Sequence, residues 1–219
     1  MRSPRRAALF DLDRTLVRTD TATLYTRYER RIGAATRADA VKVAWWLLQY
    51  GLGVLDAPKI VGKVLSKYAG MEEREMRRRS EEWYGEYVVP HIAEAGRRAV
   101  ARHHARGDLV AIVTSATPYA ADPLAAELGI EHVLCNRLEV QDGRFTGELV
   151  PPFCYGAGKV DCAEALAREQ GFELGEAYFY SDSITDLPLL ERVGTAVCVN
   201  PDLRLRRVAL ERGYRIERW

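Results

Sequence analysis

The sequence predicts an α/β protein, a doubly wound parallel sheet core with a helical cap domain inserted after the first strand. Three observations carry this expectation. Short apolar runs alternate with helical stretches from residue 91 onward, the pattern of a parallel sheet covered on both faces. Leu109-Val110-Ala111-Ile112-Val113-Thr114 is a near-continuous β-branched run, as expected of a strand buried on both sides. From about Asp20 to Val89 the pattern is helical throughout, so this block reads as an insert. Residues 1–18 and 91–219 are therefore the expected α/β core, and 19–90 the expected helical cap. With 219 residues, 47% of them apolar and 29% charged, the chain has material for a sizeable core and is not disordered.

Each element follows in order. Ala7-Ala8-Leu9-Phe10 reads as a buried strand that stops in Asp11-Leu12-Asp13. The helical block breaks near Gly33, at Gly51 to Gly53 with Pro58, and near Gly70. After Pro90 a helix ends at Arg106-Gly107 and leads into the strand at Leu109. A helix from about Tyr119 to Leu128 and a short strand at His132 to Cys135 come next. Residues 138–149 alternate on both sides of Asp142-Gly143, which predicts a β-hairpin near 137–150. A helix from about Lys159 to Gln170, a strand at Ala177 to Tyr180, a helix starting near Thr185, a strand at Ala196 to Val199 and a last helix near Leu203 to Arg212 complete the chain.

Composition excludes several functions. Lys plus Arg number 32 against 31 Asp plus Glu, a formal net charge of +1, so no global field gathers nucleic acid. Cys135, Cys154, Cys162 and Cys198 show no CxxC spacing and read as reduced thiols of a cytoplasmic protein. The basic start, Met1 to Arg6, precedes only four apolar residues, too few for a signal segment. Val41 to Leu55 is broken by Lys42 and Gln49 and falls short of the roughly 20 residues that span a bilayer, so no transmembrane helix is expected. Within it, Val43-Ala44-Trp45-Trp46-Leu47-Leu48 is apolar on nearly every helical face. The plain reading is a central helix of the cap bundle; an apolar pocket or a weak membrane-surface contact are the alternatives. His91, His103, His104 and His132 have no ligand spacing or recognisable triad partner and read as structural. The charge run from Glu72 to Arg79 reads as a solvated helix face.

In open α/β sheets, ligands bind outside the carboxyl ends of the strands. Those ends are chemically loaded here: Asp11 and Asp13 after the first strand, Ser115 after the second, and Asp182 with Asp186 after the strand at 177–180. Lys159 opens a helix between the latter two. The lysines are Lys42, Lys59, Lys63, Lys67 and Lys159, and Lys159 is the only one outside the helical block, in a chain that otherwise relies on arginine. A compact cation at that place suits a phosphate oxygen. Clustered carboxylates repel one another and an anionic substrate, so they need a cation. An oxygen-only donor set, with no His or Cys cluster to compete for zinc, describes Mg²⁺. Four ionised carboxylates, offset by Mg²⁺ and Lys159, leave one negative charge, and protonating Asp13 removes it. Like charge and partial burial raise that pKa, and a protonated carboxyl is what a departing alkoxide requires.

Asp11-Leu12-Asp13-Arg14-Thr15, Ser115, Lys159 and Tyr180-Ser181-Asp182-Ser183-Ile184-Thr185-Asp186 resemble, in order and spacing, the four motifs of the haloacid dehalogenase-like superfamily. The helical insert looks like the cap of its phosphoserine phosphatase-like subfamily. The resemblance implies that Asp11 is the nucleophile, forming an aspartyl-phosphate, and that Asp13 protonates the leaving oxygen and then activates water. It implies that Thr15 holds the loop, that Thr15, Ser115 and Lys159 bind phosphate, and that Asp11, the backbone carbonyl of Asp13, and Asp182 hold Mg²⁺. Asp186 would orient Lys159 or a metal-bound water. The implied substrate is a small phosphomonoester such as phosphoserine or histidinol phosphate, with an apolar or lipid phosphate, or phosphoryl transfer to another acceptor, as alternatives. A non-catalytic phosphate-binding module would lack a catalytic group, and none is missing. Arg14, Asp20 and Thr185 depart from the phosphoserine enzymes: a small residue is common at the first place, a Glu that binds the substrate ammonium at the second and an Asn at the third. Ala116 and Thr117 likewise stand where a Gly pair is expected. These five positions bear on specificity and leave the phosphoryl chemistry intact.

Overall fold

Among the described residues, eight strands and the helices between them build two sheets. The strands are β1 (Ala7–Phe10), β2 (Leu109–Val113), β3 (His132–Leu134), β4 (Arg137–Gln141), β5 (Arg144–Val150), β6 (Tyr178–Ser181), β7 (Thr195–Val199) and β8 (Arg215–Glu217). The helices are α1 (Thr21–Arg31), α2 (Arg37–Gly51), α3 (Glu73–Trp83), α4 (Glu94–Ala105), α5 (Pro118–Leu128), α6 (Gly158–Gln170), the short α7 (Leu187–Leu190) and α8 (Leu203–Arg212). This structure, a computed structural model, describes residues 6–51 and 66–219, without the side chains of 46–51. The expected breaks at Gly53 and Pro58 lie outside the described residues.

The main sheet has six strands in the order β3-β2-β1-β6-β7-β8, with every neighbouring pair parallel. Strand alternation sorts its side chains. Ala8, Phe10, Ile112 and Tyr180 enter one buried cluster with Ala99, Val100 and Leu124 of α4 and α5. Ala7, Leu9, Ala111 and Phe179 enter the other with Ala163 and Leu166 of α6 and Leu205 of α8. A strand with helices on both faces must be apolar at every position, and β1 and β2 are buried throughout. Chain order reverses across β1, with β2 on one side and β6 on the other, so a crevice opens at their carboxyl ends.

The chain leaves this core and returns through a narrow two-strand neck. Val17 bridges Ile92, the Ala93 N–H donates to the Leu16 carbonyl at 2.8 Å, and the Arg18 N–H donates to the His91 carbonyl at 2.8 Å. The β4–β5 hairpin turns at Asp142 and Gly143, both at positive φ (50° and 73°), the backbone that a two-residue hairpin turn demands. Its strands form a separate sheet, and it leans on the helical block: Gly70 N–H donates to the Phe145 carbonyl at 2.8 Å and Phe145 N–H to the Met71 carbonyl at 3.0 Å. Tyr68, Met76, Tyr119, Leu138 and Phe145 bury one another there.

Three expectations are corrected. The sequence predicts no strand after the last helix, yet β8 pairs with β7 at the sheet edge. Three residues are too few for a periodic signal, and the strand is held by its register and by Trp219, whose ring lies 5.5 Å from that of Tyr180. The helix expected from Thr185 is a single 3₁₀ turn, Ile184–Asp186, followed by the four-residue α7. α2 is not a buried central helix along its described side chains, because Val41 and Trp45 are 70% and 59% exposed and Ala44 is exposed with them. Among the described residues no helix is long and apolar enough to cross a membrane.

Candidate active site

Parallel pairing delivers the acids to one edge. The Asp11 N–H donates to the Tyr180 carbonyl at 2.9 Å, extending the β1–β6 ladder by one bond and setting Asp11 beside the end of β6, where Asp182 follows Ser181. Past Asp11 the chain turns sharply, with Val17 N–H donating to the Leu12 carbonyl at 2.9 Å and Arg14 at a φ of 55°.

Lys159 is the hub. It sits in the first turn of α6, 3% exposed, and donates to Asp11 Oδ1 at 2.7 Å and to Asp186 Oδ2 at 2.8 Å. Ser181 Oγ donates to the same Asp186 oxygen at 2.7 Å. Gly158 makes this placement possible: a Cβ there would lie 2.0 Å from the Phe153 carbonyl oxygen, so only glycine lets the preceding loop fold so close.

Asp13 is partly buried and faces the start of α1, where the Thr21 N–H donates to its Oδ1 at 2.6 Å. Asp13 thus does the capping that Asp20, at the N-cap position, does not. Burial raises the Asp13 pKa to about 6, against the stabilising Thr21 N–H. Burial also raises Asp11, opposed by Lys159, and pushes Asp182 well above the usual carboxylate range, with Asp11 and Asp186 adding to the rise.

The remaining expected residues are placed as follows. Thr15 is 1% exposed, and its hydroxyl has no hydrogen-bond partner among the described residues, so the turn is held by backbone bonds. Ser115 is half-buried at the end of β2. The Thr185 hydroxyl pairs with Ser183 Oγ at 2.9 Å. Arg14 and Asp20 pair with each other, Nε and Nη2 donating to Asp20 Oδ2 at 3.2 and 3.0 Å. The structure thus joins Asp11, Lys159 and Asp186 directly, with Asp182 near enough to repel Asp11, while the Asp13 carboxylate is turned to α1. Among the described residues no three His, Cys, Asp or Glu side chains form a ready metal cage.

Sequence reasoning missed Asn136 and assigned no role to Ser181. Asn136, 3% exposed, donates from Nδ2 to the Ser115 carbonyl at 2.7 Å and accepts the Cys154 N–H at 2.8 Å, tying the end of β2 to the loop before Lys159. An asparagine just after a short strand gives no sign of this, because its partners are remote in sequence. His103 also finds partners that the sequence hid, Asp108 Oδ2 at 2.7 Å from Nδ1 and the Tyr180 hydroxyl at 2.9 Å from Nε2.

The donor chemistry fits a hard divalent ion. Asp11 and Asp182 are buried carboxylates; the charges of Asp11 and Asp186 add to the burial that raises Asp182, and the Asp182 carboxylate makes no hydrogen bond among the described residues. One ammonium shared between Asp11 and Asp186 leaves Asp182 uncompensated, and clustered oxygen donors of this kind are what Mg²⁺ neutralises.

The family model of haloacid dehalogenase-like hydrolases matches residues 8–191, spanning every group just described. The chain belongs to this family. The histidinol-phosphatase of Neisseria meningitidis is 32% identical over 212 residues, 94% of this chain and 96% of that protein. Phosphoserine phosphatase SerB1 of Mycobacterium tuberculosis is 35% identical over 215 residues, 96% of this chain and 70% of that protein. A solved structure from Bordetella pertussis, of a protein with unknown function, superposes with a TM-score of 0.88 at 32% identity, covering 98% of each chain.

Proposed function

We propose that this hydrolase is a Mg²⁺-dependent phosphomonoesterase working through an aspartyl-phosphate, on a small phosphorylated metabolite of the class that includes phosphoserine and histidinol phosphate. The observation that carries the reading is Lys159, buried and bonded to both Asp11 and Asp186 at 2.7 and 2.8 Å. A buried cation between two acids holds one of them ionised and oriented, which a nucleophile needs.

In the proposed reaction Asp11 attacks phosphorus, the bond from phosphorus to the leaving oxygen breaks, and that oxygen takes the proton of Asp13. A carboxyl with a pKa near 6 holds that proton well above the ordinary range for aspartate. Water then attacks the acyl-phosphate, passes a proton to Asp13, and releases phosphate and free Asp11. Lys159 and Ser115 stabilise the transferring oxygens, and Asp186, braced by Ser181, positions Lys159. Asp11, Asp182 and the Asp13 backbone carbonyl would hold Mg²⁺, which supplies charge neutralisation for the phosphate. The presence of Asp13 favours a phosphatase over a dehalogenase, which has no leaving oxygen to protonate.

In this reading residues 1–18 and 91–219 are the catalytic core and 19–90 a cap hinged at the Val17–Ile92 neck. The free thiols of Cys135, Cys154, Cys162 and Cys198 suit a cytoplasmic protein. Phosphate release from p-nitrophenyl phosphate with Mg²⁺ tests the proposal. Asp11→Asn and chelation should each abolish it, and undiminished turnover by Asp11→Asn rules the mechanism out.

A further inference from the structure

Arg14 stands in a backbone conformation that its side chain does not favour. The non-glycine residues at positive φ are Arg14 (55°), Asp142 (50°) and Asn200 (42°), among the described residues. Asp and Asn tolerate that region, whereas a long side chain there is uncommon and is kept where the surroundings or function require it. Arg14 directly follows the proton donor Asp13, is 55% exposed, and lies where the charges of Asp20, Asp182 and Asp13 all bear on it.

Asp20 is the second observation. It occupies the N-cap of α1, yet the Thr21 N–H goes to Asp13, and one Asp20 oxygen accepts both Nε and Nη2 of Arg14. The carboxylate is diverted from capping to buttress a guanidinium. Among the described residues Nη1 has no partner and the side chain is 55% exposed, so one edge of the fork is left open to solvent while the charges of Asp182 and Asp13 still bear on it. An ammonium arriving here meets a neighbouring cation and a carboxylate already engaged. A carboxylate arriving here finds a planar donor edge held in place.

We propose that Arg14 is a specificity-determining residue that pairs with a carboxylate on the leaving group, so carboxylate-bearing alcohol phosphates are preferred over those whose leaving group carries only an ammonium. This rests on the phosphatase reading and selects within it: phosphoserine-like esters above histidinol phosphate-like ones.

The test compares kcat/KM for phospholactate, O-phosphoserine, ethyl phosphate and O-phosphoethanolamine in the full-length, Mg²⁺-supplied protein. Phospholactate should exceed O-phosphoethanolamine by at least about tenfold, the discrimination expected of one charge-assisted contact. In Arg14→Gln this ratio should collapse toward unity, mainly through KM, and Arg14→Lys should restore part of it. Arg14→Gly, which relieves the positive φ, should fold at least as well and show the same collapse, so that a folding defect in the glutamine variant cannot explain the loss. A ratio unchanged in the variants, or a wild-type preference for O-phosphoethanolamine, overturns the role of Arg14. Hydrolysis of all four esters at one rate removes this inference alone. Hydrolysis of none removes the phosphatase reading and this inference with it.

Discussion

Lys159 shows how much one side chain controls. Its ammonium balances two largely buried carboxylates, and a buried ion lacking its partner costs far more than a surface one. Lys159→Met should therefore destabilise the fold by roughly 3–5 kcal/mol as well as abolish phosphate release. Urea denaturation measures the first, and adding Asp186→Asn should recover part of it, because one orphaned charge is then gone. Lys159→Arg should not restore activity, since a planar fork does not fit a site built for a compact ammonium. At this scale the residue types were legible in the sequence: the acids and Ser115 stand at strand ends, and the isolated lysine opens a helix. Which acid touches which was not. Asp13 bonding to Thr21 and Asp20 to Arg14 are settled by how the turn after β1 meets α1.

Among the elements, α6 has a strict entry. The loop from Phe153 to Gly158 folds back until the Phe153 carbonyl fills the space of a side chain at 158. Gly158→Ala should displace the first turn of α6 and with it Lys159, lowering kcat by an order of magnitude or more, while Gly175→Ala, where a Cβ meets nothing within 4 Å, should be nearly silent. Comparing phosphate release in the two variants checks this. The longer elements were readable because their periodicity is sustained, as in the alternation about Asp142-Gly143. β8 and the short α7 were not, since a strand of three residues or a helix of four has too little pattern and is stabilised by neighbours instead. α2 misleads in the opposite way. Its apolar sequence suggests burial, yet Val41, Ala44 and Trp45 face solvent, because burial depends on what packs against a helix and not on its composition; the side chains of Trp46, Leu47 and Leu48 lie outside the described residues.

The whole molecule carries a pH dependence away from the active site. His103 is buried between α4 and the sheet, with Asp108 and the Tyr180 hydroxyl on its ring nitrogens, Phe10 and Tyr178 against its face, and Arg102 and Arg106 nearby. Burial lowers its pKa below 6.5, despite the opposing pull of Asp108. The unfolded chain then binds the proton more readily than the folded one, so this contribution to stability is full above about pH 6.5 and is lost as pH falls toward the folded pKa. His103→Gln should flatten that slope in denaturation midpoints measured between about pH 5 and 8. An unchanged slope would show that His103 does not set it.

Taken by itself, the sequence determined the alternation of strands and helices, the insertion of the helical block and the identity of the chemical groups. These are written in local periodicity and residue type, which short stretches of chain carry. Tertiary structure alone decided the pairings: Lys159 with Asp11 and Asp186, Asn136 with Ser115 and Cys154, His103 with Asp108 and Tyr180, and the hairpin against Gly70 and Met71. Several of these join residues far apart along the chain, and all depend on angle and distance. Only the packing of the sheet and its covering helices supplies those.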